Sequence, residues 1–138
     1  MRLVVDASVV VDVVMADGTL GPLKAHTLFA PPLMLSEATS ILSELAFRSE
    51  IPLDQARSCV ERLAGLPITV ERPAGLELHA WDLARQLGWA KTYDAEYIAL
   101  AIMLGVPLVT MDLRLQRGAR HLTTIITPTE IAQLSPGP

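Results

Sequence analysis

Two short apolar runs of this sequence stop at the same residue type: RLVVD ends at Asp6 and PLVTMD ends at Asp112. A third aspartate, Asp94, opens the stretch TYDAEYIALA, and Glu37 stands near the start of another helical segment. If the two runs are parallel strands of one sheet, both aspartates lie at its carboxyl edge, where open α/β folds bind their ligands. In right-handed βαβ units the helix after a strand begins at that same edge. Topology therefore brings Asp6, Glu37, Asp94 and Asp112 to one side of the sheet. Carboxylates gathered in one place raise one another's pKa unless a cation compensates them. Hard oxygen donors without a histidine or cysteine partner point to Mg²⁺ or Mn²⁺, not zinc.

Each acid also has a purely structural reading. Asp94 suits a helix N-cap, and a strand-terminal aspartate such as Asp6 or Asp112 suits a turn that caps the next segment. Glu37 suits a solvated acid favoured by the helix dipole. Asp12 and Glu96 are further candidates near the suspected pocket, whereas Glu44, Glu50, Asp54, Glu61 and Glu77 read as surface charges. His26, His79 and His121 show no metal-ligand spacing, and the chain has no P-loop, Rossmann glycine pattern or G-x-S-x-G elbow.

The elements that must position these acids can be read from periodicity. Residues 2–6 are a β-branched run typical of a strand buried on both faces. Residues 8–15 (SVVVDVVM) are ambiguous, since valine favours strand while the preceding Asp-Ala-Ser can start a helix. ADGTLGP (16–22) reads as a loop and TLFA (27–30) as a short strand. Helices are expected over 33–49, over 53–64, from Pro73 to a stop at Gly88, and over 94–104. Strands are expected at 67–71, 107–112 and 123–127, with a short basic turn, LRLQRGAR, after Asp112. Thr127-Pro128-Thr129-Glu130 is a capping box with proline at the first helical position. The alternation implies an α/β fold with a largely parallel central sheet.

Bulk properties fit one domain spanning residues 1–138, with 51% hydrophobic and 19% charged residues. The single cysteine, Cys59, excludes an internal disulfide and a multi-cysteine zinc site. The apolar N-terminus is interrupted by Asp6 and Asp12 before it reaches the roughly 20 residues that span a bilayer. A soluble, cytoplasmic protein without membrane association is expected. The net charge of −4 runs against the basic character of most nucleic-acid binders.

The sequence resembles the PIN-domain ribonucleases, in particular the VapC toxins of type II toxin–antitoxin pairs. The matching stretches are VVDASVVVD, APPLMLSEATSIL and TYDAEYIALAIMLGVPLVTMDLRL. The last is the most specific, because it combines YDAxYxALA with LVTxD. The resemblance runs in order along nearly the whole chain, with residues 51–90 matching only as generic helices and a strand. It implies a three-layer PIN-like fold, a mostly parallel sheet flanked by helices. It puts the family's acidic quartet on Asp6, Glu37, Asp94 and Asp112, and its small hydroxyl residues on Ser8 and Thr110. LSEATS is the looser match, with Glu44 the fallback for Glu37.

The implied chemistry is Mg²⁺-dependent hydrolysis of RNA to 5′-phosphate and 3′-hydroxyl ends, with Mn²⁺ able to substitute. Asp6 and Asp112 are the expected direct ligands, Asp94 direct or through water, and Glu37 either binds metal or orients the attacking water. Setting those four acids aside leaves the remainder neutral, with 11 Lys and Arg against 15 Asp and Glu in total. Arg114, Arg117 and Arg120 are candidates to contact RNA phosphates; the alternative is a solvated basic turn. A VapB-type antitoxin and a second copy of the chain are the implied partners. Rival readings are a phosphoacceptor domain, disfavoured because VVDAS lacks an Asp-x-Asp pair, a non-catalytic PIN-like module, and a PIN nuclease for RNA processing outside any toxin pair.

Overall fold

The architecture was taken from a computed structural model, in which residues 1–16 and 19–134 are described. Five strands, β1 (Arg2–Val5), β2 (Thr27–Ala30), β3 (Ile68–Val70), β4 (Leu108–Val109) and β5 (Ile125–Ile126), form one sheet in the order β3-β2-β1-β4-β5. Every neighbouring pair is parallel. Seven helices connect or flank them: α1 (Ala7–Met15), α2 (Leu33–Phe47), α3 (Leu53–Leu63), α4 (Leu76–Leu87), α5 (Tyr93–Leu104), α6 (Leu113–Ala119) and α7 (Pro128–Leu134). The expected parallel α/β sandwich is the observed one. From β1 the chain moves outward to β2 and β3, then returns past β1 to add β4 and β5. With right-handed crossovers, α1–α3 cover one face of the sheet and α4–α6 the other; accordingly α1, α2 and α3 pack on one another and α4 packs on α5.

The ambiguous valine run is a helix. Asp6 is its N-cap and its carboxylate accepts the Val9 N–H, which starts the helix that valine itself disfavours. Burial then compensates the weak propensity, since Val9, Val10, Val11, Val13 and Val14 are all in the core. Helix α5 is also deeply enclosed, with Ala95 and every residue from Tyr97 to Ala101 buried. A helix apolar nearly all round belongs in an interior. Gly88 and Gly105 end α4 and α5 at φ +73° and +67°, a conformation natural to glycine.

Two expectations after residue 107 are corrected. The strand read as 107–112 has only Leu108 and Val109 in the ladder, although the Thr110 N–H still reaches the Ile126 carbonyl. The chain turns away there because the Thr110 hydroxyl accepts the Asp112 N–H. LRLQRGAR is not a basic turn but α6: Asp112 caps it through the Arg114 N–H, and Leu115 and Ala119, one helical turn apart, are buried. Its charges concealed that i, i+4 apolar pair. The expected loop at 16–22 falls partly on residues outside those described and continues as a 3-10 turn over Gly21–Ala25. The Thr127 cap is present, with its hydroxyl accepting the Glu130 N–H at 3.1 Å.

Leu100 is fully buried in α5 beside the central strands. Leu100→Ala is expected to cost about 2–5 kcal/mol, read as a lower urea midpoint at unchanged denaturant slope.

Candidate active site

The sheet order puts a topological switch between β1 and β4: the connection from β1 runs to one side, that from β4 to the other. The crevice outside the carboxyl ends of such a strand pair is open to ligands. Asp6 immediately follows β1, while Thr110 and Asp112 follow β4. Val5 is paired with Val109, so the two chain ends leave the sheet side by side.

A hydrogen-bond chain joins them. The Asp112 N–H donates to Thr110 Oγ1 at 3.0 Å, and that hydroxyl donates to Asp6 Oδ2. Ser8 Oγ donates to Asp6 Oδ1 at 2.6 Å and the Val9 N–H donates to the same oxygen at 3.1 Å. Asp6 is 5% exposed, so its geometry is fixed from several directions. Burial pushes its pKa up; the bonds from Ser8, Thr110 and Val9 oppose this, Asp112 adds to it, and the net shift is upward. Behind Thr110, Gln116 Nε2 of α6 donates to the Thr110 carbonyl at 3.3 Å.

Glu37 enters from α2 and Asp94 from the first turn of α5. The buried Tyr97, one turn beyond Asp94, donates its hydroxyl to Glu37 Oε1 at 2.8 Å. Glu37 is raised first by burial and then by the charges of Asp94 and Asp6, with the Tyr97 bond opposing. Asp94 is raised by burial and by Asp112, with Arg114 opposing. These couplings bring all four acids into one electrostatic unit. Glu44 lies seven residues further along α2 and is exposed, so geometry favours Glu37 over the fallback.

Asp94 is not the helix cap. The N-cap is Thr92, which makes no side-chain capping bond. The capping alternative applies instead to Asp6 and Asp112, each of which caps a helix as well as facing the crevice. Of the three arginines, only Arg114 reaches the acids: its Nη2 is 3.0 Å from Asp112 Oδ2 and 3.7 Å from Asp94 Oδ2. Burial works upward on Asp112, but hydrogen bonds from the Arg114 side chain and backbone, and the guanidinium charge, hold it below the ordinary value. Arg117 is exposed on α6, and Arg120 lines a different groove with His121 and Glu130. Asp12 is exposed on α1 and lines another groove with Val9 and Leu20. Glu96 is half-buried and its coupling to Glu37 is weaker than that to Glu77. Tyr97 and Gln116 were not singled out from the sequence. Tyr97 lies within YDAEYIALA, and its position one turn after Asp94 was the available signal.

Among the described residues, no three His, Cys, Asp or Glu side chains are already gathered as a metal cage. The donor set nevertheless suits a hard divalent cation. It consists of carboxylates alone, and burial and mutual repulsion raise three of the four, a strain that a cation relieves. Arg114 supplies part of that compensation from within the chain.

A pH dependence follows. Asp6, Glu37 and Asp94 have folded pKa values above their unfolded ones, so the folded state holds their protons to higher pH. Their contribution favours folding below about pH 4 and is lost as pH rises through the raised values. In EDTA, Asp94→Asn is therefore expected to melt above wild type at pH 7 and level with it near pH 4. An equal difference at both pH values would contradict this account of Asp94.

Residues 3–121 match the PIN domain family. A VapC ribonuclease of Mycobacterium bovis is 36% identical over 114 residues, which cover 82% of this chain and 87% of that protein. The crystal structure of PAE2754 from Pyrobaculum aerophilum has a similar fold, with TM-score 0.73 and 21% identity, over 97% of this chain and 89% of that one. So does the structure of VapBC2 from Rickettsia felis bound to a DNA fragment from their promoter, with TM-score 0.62 and 16% identity, over 92% of this chain and 98% of that one. In its family match, its identity to a VapC ribonuclease and its fold, the chain belongs to the PIN domain family.

Proposed function

We propose that the protein is a metal-dependent endoribonuclease, the toxin of a type II toxin–antitoxin pair, which hydrolyses RNA to 5′-phosphate and 3′-hydroxyl ends. The observation that carries this reading is the convergence of Asp6, Glu37, Asp94 and Asp112 at the switch point of the sheet, in a chain 36% identical to a VapC ribonuclease. Asp6, Asp94 and Asp112 would hold Mg²⁺ or Mn²⁺, with Glu37 as a fourth donor or a water-orienting base. A cation held there would activate a water and stabilise the leaving 3′-oxygen.

The remaining chemistry belongs to the side chains. Ser8, Thr110 and the Val9 N–H hold both Asp6 oxygens against rotation. Tyr97 holds Glu37 by Oε1, which leaves Oε2 to take the proton of an attacking water. Half-burial and the neighbouring charges raise Glu37, which makes it a stronger proton acceptor than a free carboxylate. Arg114, which bonds Asp112 and approaches Asp94, would suit a phosphate oxygen held beside those acids.

The VapB-type antitoxin is the expected inhibitor, the homologous chains being named VapC. Exposed Phe47 and Leu53 near the α2–α3 junction offer apolar surface for it or for a second copy of the chain. Among the described residues no helix is long and apolar enough to cross a membrane, and the proposed RNA substrate would suit a cytoplasmic protein.

The test is purified chain, free of antitoxin, with a labelled mixture of small structured RNAs in Mg²⁺, Mn²⁺ or EDTA. Cleavage is expected only with metal. Asp94→Asn should lose more than about a hundredfold, the upper end of what even an outer-shell partner of a metal costs, and Thr110→Val about 10–100-fold. Equal cleavage by wild type and Asp94→Asn would remove Asp94 from the site.

A further inference from the structure

Beside the acid cluster lies a groove of about 500 Å³ lined by Gly88, Trp89, Ala90, Lys91, Asp94, Arg114 and Leu115. It is large enough for a small ligand, and Asp94 is the only acid in its wall. Arg114 is the border shared by groove and cluster, since the same guanidinium bonds Asp112 and approaches Asp94. We propose that this groove binds the nucleotide next to the scissile phosphate of single-stranded RNA, with Trp89 contacting its base and Lys91 and Arg114 its phosphate. The inference rests on the nuclease reading above and goes beyond it, since neither Trp89 nor Lys91 belongs to the acidic site.

The groove is built rather than incidental. Gly88 ends α4 at positive φ, the Trp89 N–H closes back on the Ala84 carbonyl at 2.8 Å, and Arg85 Nη2 donates to the Trp89 carbonyl at 2.6 Å. Trp89 also packs on α6: a Cβ at Gly118 would stand 3.2 Å from the indole Cζ2. The absence of a side chain at Gly118 lets the half-buried ring sit against the helix that carries Arg114. Lys91 is exposed and, among the described residues, its ammonium makes no ion pair or hydrogen bond. An aromatic platform next to unengaged positive charge is the chemistry of single-strand binding, since an unpaired base can stack and its phosphate can be neutralised. The larger groove at Arg120 and His121 has no tryptophan, tyrosine or phenylalanine and none of the four acids in its wall.

The experiment uses the full chain in EDTA at low salt, with a fluorescein-labelled single-stranded RNA oligonucleotide of mixed sequence. In a Trp81→Phe background, Trp89 emission is expected to quench as RNA binds. Lys91→Gln should weaken binding severalfold and reduce the slope of log affinity against log salt by about 0.7, the value of one single-strand phosphate contact. In a parallel Mn²⁺ assay Lys91→Gln should raise KM by a larger factor than it lowers kcat. Unchanged affinity and salt slope in Lys91→Gln, or RNA binding without Trp89 quenching, overturns the subsite even if the wild type cleaves RNA. Quenching and the altered slope without any metal-dependent cleavage supports the groove and overturns the nuclease reading instead.

Discussion

The crevice depends on one constraint: β1 and β4 are parallel neighbours whose connections diverge. Their last paired residues, Val5 and Val109, release two chain ends into the same small volume. The Thr110 hydroxyl bridges those ends, accepting from the Asp112 backbone and donating to the Asp6 carboxylate. The hydroxyl therefore sets where the second strand stops, where α6 starts and how Asp6 is aimed. The ends of the two strands and the aim of Asp6 are thus coupled through one residue, with Ser8 and the Val9 N–H holding the other carboxylate oxygen.

Gathering carboxylates there works against stability. Burial is the leading influence on Asp6, Glu37 and Asp94, and their mutual charge adds to it. The fold tolerates this because the acids sit at the rim of a continuous apolar interior that includes Leu3, Val4, Val5, Leu108, Val109 and most of α5. Three of the four acids are also tied into the surrounding structure. Asp6 and Asp112 cap helices, and Glu37 is held by Tyr97. Functional strain of this kind is commonly located where the surrounding structure over-determines the geometry. Here the same bonds that aim the carboxylates also start the helices.

Much of this was legible in one dimension. The runs ending at Asp6 and Asp112 required only buried-strand composition to be seen, and the α/β alternation followed from periodicity and turn residues. The valine run was not decidable locally, because strand propensity and an N-cap signal point in opposite directions and burial casts the deciding vote. α6 was hidden for a related reason. Its arginines and Gly118 resemble a turn, and only contact with the core reveals Leu115 and Ala119 as one face.

The sequence by itself therefore determined most of the element types, though not α1 or α6, together with the hard-oxygen donor set and the acids that topology would bring to one edge. Those follow from local pattern and from side-chain chemistry, which need no knowledge of distant neighbours. Tertiary structure decided which cations and hydroxyls serve those acids. It brought Arg114 to Asp94 and Asp112 while leaving Arg120 at another groove, and it joined Tyr97 to Glu37 across the space between α5 and α2. The reason is that hydrogen bonds and ion pairs act over a few ångströms, and separation along the chain does not specify separation in space.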